Sequence, residues 1–191
     1  AAALTAVSEL HVANSLPITT DVPMAFFVVL ASWLSLRIHT KGARMRDYVA
    51  AGLCAGLATS TKYNGVFAVL PIVVAHLTTV RPSPRVLFDR RLLAAAAASV
   101  LGFLAATPYA LVDSDSFFAF LRLQQEAYSL GHPGAEDAGR SYGFYFAALR
   151  DRFGAAPLAV ATIGAAAVAL WRPRPAVILL AFPVALFLFM G

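Results

Sequence analysis

The segment Pro23–Ile38, PMAFFVVLASWLSLRI, carries only one charged residue, Arg37. Six further runs are similarly apolar: Ala1–Val7, Tyr48–Ser60, Val66–Val80, Leu92–Leu111, Ala155–Leu170 and Pro175–Met190. Ala and Leu dominate these runs, and none shows the alternation of apolar and polar residues that is typical of membrane strands. Because a helix satisfies its own backbone hydrogen bonds in lipid, the pattern predicts an all-α, polytopic transmembrane bundle with about six crossings and a partial one.

The overall composition excludes the common soluble classes. Of 191 residues, 60% are hydrophobic and 13% are charged, and the mean hydropathy is +0.73. That charged fraction is about half that of an ordinary soluble domain. A soluble fold would have to expose large apolar patches, and a disordered chain would be polar, so an integral membrane protein is predicted. The lone cysteine, Cys54, rules out an internal disulfide.

Charge is distributed unevenly between alternate connections of the predicted bundle. The connections Arg37–Asp47, Arg81–Arg91 and Trp171–Arg174 hold ten of the 15 basic residues and two acidic ones, a net charge of +8. The remaining connections hold five basic and eight acidic residues, a net charge of −3. The positive-inside rule therefore predicts that the first set is cytoplasmic. On this reading the sequence pI of about 9.8 reflects topology, and no nucleic-acid partner is expected.

The chain begins and ends within apolar runs, at Ala1–Val7 and Ala176–Met190. We therefore expect residues 1–191 to be an internal part of one longer transmembrane domain. The largest outer loop is predicted at residues 112–153.

Two outer segments hold the first candidate functional residues. The segment Ser8–Pro23 contains His11, a candidate substrate-binding residue, and Asp21, a candidate catalytic residue, at the mouth of a predicted helix. Asp21 precedes Pro23, a spacing that suits the first turn of a helix, and Thr19, Thr20 or Asp21 is expected as the N-cap. The Asp21 carboxylate is expected to cap the helix or to face a substrate, and the two roles are compatible. From the residues alone, the cap is favoured.

The second segment is the turn Thr61–Asn64, which follows the short run Tyr48–Ser60. Thirteen helical residues span about 20 Å, less than the roughly 30 Å hydrocarbon core, so the turn is expected below the outer surface. A sheltered Lys62 ammonium would need an anionic partner, either a lipid phosphate or Asp21. Tyr63 and Asn64 could add hydrogen bonds to phosphate or sugar. The alternative is that Lys62 snorkels to the interface.

The segment Asp113–Arg152 combines an amphipathic stretch with a turn. Ser116–Leu130 has an apolar stripe at helical spacing and predicts a helix lying in the outer interface. His132 and Glu136 are weak candidate ligands for a divalent metal, and two such residues do not define a metal site. The aromatic residues that follow, Tyr142, Phe144, Tyr145 and Phe146, are typical of an interfacial belt.

Several motifs resemble one known family. They are His11-Val12, Thr19-Thr20-Asp21-Val22-Pro23, Arg46-Asp47-Tyr48, Ala51–Ala58, Ser60–Asn64, Thr107–Ala110 and Gly131–Gly134. Together they resemble bacterial members of the dolichyl-phosphate-mannose protein mannosyltransferase-like superfamily. These are family 39-type membrane glycosyltransferases of the C fold, related to the lipid A aminoarabinose transferase.

The resemblance implies transfer of a sugar from a polyprenyl-phosphate carrier to a protein or lipid acceptor on the extracytoplasmic side of a bacterial inner membrane. It implies that Asp21 is the family's second acidic position and that Lys62 is a basic position near the carrier phosphate. The family's main catalytic carboxylate would lie in a loop preceding Ala1. Membrane lipid is the remaining implied partner, and no cofactor beyond a candidate divalent metal is implied.

Two other functions fit the residues themselves. A secondary transporter also uses broken helices and intramembrane charges, but it would usually show internal repeats, and none is evident. In a non-catalytic membrane scaffold, Asp21 and Lys62 would serve only as cap and anchor.

Overall fold

Nine α-helices make up most of the residues that the computed structural model describes, namely 20–81, 83, 85–129 and 142–190. The helices are α1 (Asp21–Lys41), α2 (Met45–Thr61), α3 (Val69–Thr79), α4 (Arg90–Ala106), α5 (Tyr109–Val112), α6 (Ser114–Ser129), α7 (Tyr142–Phe153), α8 (Ala155–Trp171) and α9 (Pro173–Met190). Short 3₁₀ helices at Tyr63–Ala68 and Val86–Phe88 lie in the connections before α3 and α4. No β-strand occurs within these ranges, which confirms the all-α prediction for them.

Consecutive helices among α1 to α4 run antiparallel, so their termini alternate between two ends of the bundle. Polar contacts link the start of α1 to the end of α2, and the end of α2 to the end of α4, at one end. At the other end, the last turns of α1 contact the first turn of α2. We call the first group the Lys62 end (Asp21, Ser60, Lys62, Thr107) and the second the Arg37 end (Arg37, Asp47, Tyr48, His76, Asp89, Arg91).

The α2–α4 interface is the most extensive helix pair of the bundle. Gly52 and Gly56 lie one turn apart on the face of α2 that meets α4. A Cβ on Gly52 would collide with the carbonyl oxygen of Ala95, and one on Gly56 with that of Ser99. Small residues at this spacing let membrane helices approach backbone to backbone. The Ala51–Ala58 stretch is therefore a packing surface, a role that its apolar composition alone does not reveal.

The core lies between α1, α2, α3 and α9. Its largest fully buried side chains include Tyr48, Ile38, Ile72 and Ile178. Phe189 of α9 lies with its ring centroid 5.3 Å from that of Phe67 in the 3₁₀ helix after Lys62. The C-terminal part of α9 is thus at the Lys62 end.

Three predicted runs differ from the observed helices. α2 has 17 residues rather than 13, because its first and last turns include polar side chains, and it spans about 25 Å. The run Leu92–Leu111 is interrupted at Thr107 and Pro108, since proline lacks the N–H that a continuous helix needs. The run Val66–Val80 begins as a 3₁₀ helix and becomes α-helical only at Val69.

The predicted number of membrane crossings is not confirmed. Among the described residues, α1 alone is long and apolar enough by itself to span a membrane. A second candidate arises only if Tyr142–Asp151 and Ala155–Trp171, which are bent by 116°, are counted as one span. Gly154, with φ 80°, connects these two helices. The predicted sidedness of the connections, the single-domain organisation and the 112–153 outer loop stay predictions.

The predicted interfacial segment is helical over Ser114–Ser129, as α6. Phe120 and Leu123 on its apolar stripe are exposed, while Phe117 contacts Phe103 at a centroid distance of 6.1 Å. An apolar face of this kind fits a membrane interface, and its position there stays a prediction.

Candidate functional site

The predicted site residue Asp21 forms an ion pair with Lys62. Nζ of Lys62 donates a hydrogen bond to Oδ1 of Asp21 over 2.7 Å. The N-cap of α1 is Thr20, one of the three residues predicted for that position, and its side chain makes no capping bond. Asp21 already has helical backbone in the first turn, and its side chain reaches across to the end of α2 instead.

The backbone after α2 holds Lys62 in place. The N–H of Lys62 donates to the carbonyl of Ala58 over 3.1 Å and closes the helix. Lys62 itself is extended, with φ −156° and ψ 132°, and its carbonyl accepts from the N–H of Gly65 over 2.8 Å. A Cβ on Gly65 would collide with the backbone of Ala58. The glycine thus lets the 3₁₀ helix fold back against the end of α2.

The ion pair is only partly shielded from solvent. The side chain of Lys62 is 26% exposed and that of Asp21 is 56% exposed. Of the two partners considered for Lys62, the structure shows Asp21. Exposed ion pairs contribute roughly 0–1 kcal/mol, so this one stabilises the fold little and can exchange partners at low cost.

Two further predicted residues follow Lys62 in the turn. Asn64 is buried, and its Oδ1 has no hydrogen-bond partner among the described residues. Tyr63 is half-buried at the start of the 3₁₀ helix. A buried amide oxygen without a partner is costly, which makes Asn64 a candidate for contact with a ligand or water.

A hydroxyl pair beside this turn was not anticipated from the sequence. Ser60 Oγ and Thr107 Oγ1 lie 2.6 Å apart, and either hydroxyl can donate. This contact joins the end of α2 to the end of α4. Both residues belong to motifs that carry the family resemblance, and this could have marked them as candidate site residues. Their pairing could not be predicted, because it depends on tertiary structure.

Asp113, in the connection to α6, differs from Asp21. Its Oδ1 accepts from the N–H of Ser116 over 3.1 Å, and its Oδ2 accepts from the hydroxyl of Tyr109 over 2.9 Å. The bonds from Ser116 and Tyr109 lower the pKa of Asp113, and the bond to Asp113 raises the pKa of Tyr109. Asp113 is therefore a capping carboxylate, which makes it a useful control for Asp21.

Several predicted site residues lie outside the described ranges. They are His11, His132 and Glu136. Their predicted roles in substrate binding and metal binding stay predictions. Within the described part of the chain, no group of three or more His, Cys, Asp or Glu residues is placed to hold a metal ion.

A buried network connects three segments at the Arg37 end. His76 is fully buried, and its Nε2 lies 2.9 Å from the carbonyl oxygen of Val86 while its Nδ1 lies 2.7 Å from the hydroxyl of Tyr48. A carbonyl oxygen can only accept, so Nε2 carries the proton. In the neutral ring the Tyr48 hydroxyl then donates to Nδ1, and the network ties α2, α3 and the 3₁₀ helix before α4 together.

Two ion pairs complete the Arg37 end. Nη2 of Arg37 lies 3.0 Å from Oδ1 of the buried Asp47. Arg91 binds Asp89 through two side-chain hydrogen bonds of 3.0 Å, and Asp89 also caps α4 by accepting from the Arg91 N–H over 2.8 Å. The Arg91 side chain, followed by its backbone N–H, lowers the pKa of Asp89 to about 2. The Arg37–Asp47 pair joins α1 to α2, whereas the Asp89–Arg91 contacts stabilise the start of α4.

Comparison with known proteins gives one match. The family model described as dolichyl-phosphate-mannose-protein mannosyltransferase matches residues 1–111, more than half of the chain. The matched range includes all four residues of the Lys62 end. No curated protein and no solved structure matches the chain.

Proposed function

The chain belongs to the dolichyl-phosphate-mannose-protein mannosyltransferase family, and from this we propose that it acts in a membrane glycosyltransferase. The donor in this proposal is a sugar on a polyprenyl-phosphate carrier, and the acceptor is a protein or a lipid. The reaction takes place on the outer face of a bacterial inner membrane, at the Lys62 end of the bundle. Family membership supports glycosyl transfer in general, and the specific donor, acceptor and orientation are our proposal.

The observation that carries the proposal is the Asp21–Lys62 ion pair. Transfer forms a bond from an acceptor oxygen to the anomeric carbon and breaks the bond from that carbon to the carrier phosphate. The phosphate leaves with the electron pair, so it needs a nearby cation, and the acceptor hydroxyl must lose its proton. A partly exposed cation beside a partly exposed carboxylate offers both functions.

In this scheme, Lys62 binds the carrier phosphate. Its ammonium has three N–H donors, so it can keep the bond to Asp21 Oδ1 while donating to a phosphate oxygen. The exposed Asp21 carboxylate then accepts a hydrogen bond from a substrate hydroxyl. Asn64 Oδ1, buried and unpartnered among the described residues, supplies an acceptor for a sugar hydroxyl near Lys62.

The experiment that tests this proposal replaces one carboxylate at a time. Asp21→Asn keeps the size of the side chain and removes its charge, and Asp113→Asn does the same at a capping residue. Membranes containing each variant, at matched protein amounts, are given radiolabelled mannosyl polyprenyl phosphate, and product formation is measured. We expect Asp21→Asn to lose most transfer and Asp113→Asn to keep it, since Asn also caps helices well.

Near-normal transfer by Asp21→Asn would assign the ion pair to helix anchoring alone. The chain would then contribute a structural support to the enzyme, as in the scaffold alternative, and the catalytic role of Asp21 would be withdrawn.

A further inference from the structure

A groove on α1 at the Arg37 end combines aromatic, apolar and cationic side chains. It is lined by Trp33, Leu36, Arg37, Thr40, Lys41 and Arg44, and its cavity volume is about 530 Å³. These residues recur at spacings of three and four, so they form one stripe along the end of α1 and its connection to α2. The volume is within the roughly 300–1,000 Å³ range of small-molecule sites.

The groove has an excess of positive charge. Arg37 is bonded to Asp47, and its guanidinium carbon lies 4.8 Å from the centre of the Trp33 ring. Lys41 and Arg44 are exposed, and no described carboxylate pairs with either side chain. Three cations therefore face one carboxylate, which Arg37 already neutralises. The partial negative charge at the C-terminus of α1, about half a unit, does not cancel this excess.

Along α1, the groove changes from apolar side chains to basic ones, in the same order as the acyl chains and the phosphate of a membrane lipid. Trp33 and Leu36 lie nearer the middle of α1, the helix that qualifies as a membrane span, while Lys41 and Arg44 lie at its end. Tryptophan and basic residues at helix ends favour the headgroup region of a bilayer. The apolar part of the groove can contact the first acyl carbons while the cations reach the phosphate.

We propose that this groove binds the phosphate headgroup of an anionic phospholipid. Lys41 and Arg44 are the primary phosphate contacts, because their charges are unpaired among the described residues. Arg37 lines the site from its stacked position on Trp33. Basic clusters beside a membrane helix recognise anionic lipids in this way. The site is at the opposite end of the bundle from the Asp21–Lys62 pair and does not depend on the proposed transfer reaction.

The test uses Trp33 as a reporter within the groove. The chain has two tryptophans, so Trp171→Phe leaves Trp33 as the single emitter. The full chain is placed in phosphatidylcholine vesicles that contain increasing amounts of phosphatidylglycerol with brominated acyl chains, which quench tryptophan on contact. Brominated phosphatidylcholine in the same amounts gives the reference for non-selective contact. We expect half-maximal quenching at a several-fold lower fraction of the anionic lipid.

Two pairs of charge-removing substitutions decide whether the groove itself is responsible. Lys41→Gln with Arg44→Gln should raise the required fraction of anionic lipid about tenfold or more, given the contribution of each basic residue near a charged surface. Arg85→Gln with Arg90→Gln removes the same charge from exposed positions at the same end and should change it less than twofold.

Three results would overturn the proposal. Equal shifts in the two double variants would assign the effect to general surface charge. Equal quenching by the two brominated lipids would show that the groove does not select anionic lipid. Relief of the quenching by millimolar inorganic phosphate would identify the site as one for free phosphate rather than for a lipid headgroup.

Discussion

The two ends of the bundle contain ion pairs of similar chemistry in different surroundings. At the Lys62 end, the side chain of Asp21 is 56% exposed and that of its partner Lys62 is 26% exposed. At the Arg37 end, the side chain of Asp47 is only 3% exposed, His76 joins α3 to Tyr48 and Val86, and Arg91 donates to the carbonyl of Ala43. A buried, reinforced network holds helices, while a loosely held pair can exchange partners with a substrate. The comparison predicts that substitutions at the Lys62 end reduce transfer and that substitutions at the Arg37 end reduce stability.

The largest expected effect is on transfer by Lys62→Met. This substitution keeps the length and apolar bulk of the side chain and deletes its charge. Loss of one donor that stabilises transition-state charge costs roughly 2.7–4 kcal/mol, so we expect about a hundredfold or greater loss of transfer from polyprenyl-phosphate sugar. Lys62→Arg should lose less, because it keeps the charge and changes only its shape. Transfer rates at matched protein amounts provide the measurement.

The stability of the same variant sharpens the comparison. Because exposed ion pairs contribute roughly 0–1 kcal/mol, Lys62→Met should change the free energy of unfolding, measured by SDS titration from detergent micelles, by no more than that. Full transfer by Lys62→Met would leave Lys62 as a helix anchor and remove the distinction between the two ends.

The opposite outcome is expected for His76→Phe at the Arg37 end. The substitution leaves the hydroxyl of Tyr48 and the carbonyl of Val86 without their partner. Each unpaired buried group costs about 1–3 kcal/mol, so the free energy of unfolding should fall by about 3 kcal/mol. Transfer per folded molecule should stay near that of the unchanged protein. A variant that folds normally but transfers poorly would show that the Arg37 end also takes part in the reaction.

A change at the α2–α4 interface tests the packing that connects the two ends. Gly56→Ala places a methyl group against the carbonyl of Ser99, and such overpacking costs about 1–3 kcal/mol. Gly164→Ala in α8 is the matched control, since a Cβ there meets no atom within 4 Å. Alanine is favoured over glycine in helices, so the control should unfold no more readily than the unchanged protein. Equal stability of the two variants would contradict the close helix contact.

The smallest effect is a pH-dependent one at Asp89. Its pKa is lowered from 3.8 to about 2 in the folded chain, so the carboxylate stabilises the fold above its ordinary pKa. Asp89→Asn keeps the cap and removes the charge, and we expect a loss of about 1 kcal/mol at neutral pH. The difference between the two proteins should shrink as the pH falls from about 4 toward 2. A difference that persists at pH 2 would mean that the ion pair is not its source.

The sequence predicts the helices well because their apolar composition is a local property. The positions of α1, α8 and α9 follow closely from the runs Pro23–Ile38, Ala155–Leu170 and Pro175–Met190. The length of α2 does not, because its end turns are polar and depend on contacts at both ends of the bundle. Pro108 is a visible signal for a helix break, but hydropathy alone makes Leu92–Leu111 one continuous apolar run.

The sequence predicts which residues form the candidate site, but only part of how they contact one another. Asp21 and Lys62 were selected as functional, and Asp21 was one of two partners considered for Lys62. Their separation of 41 positions gives no periodic signal, so the contact depends on how α1 packs against α2. The His76–Tyr48 bond was missed for the same reason, since a histidine within an apolar run resembles any other buried residue. The sequence leaves the N-cap of α1 open among Thr19, Thr20 and Asp21, because all three residue types are common caps, and the structure has Thr20 there.

The most direct test of the central claim exchanges the charges of the Lys62 end. The double variant Asp21→Lys with Lys62→Asp keeps an ion pair between α1 and α2 but reverses its direction. If the pair acts in transfer, the phosphate faces the wrong charge. We then expect unfolding stability within about 1 kcal/mol of the unchanged protein, and transfer below one hundredth of its rate. Recovery of near-normal transfer by the exchanged pair would contradict the account and show that the pair only joins the two helices.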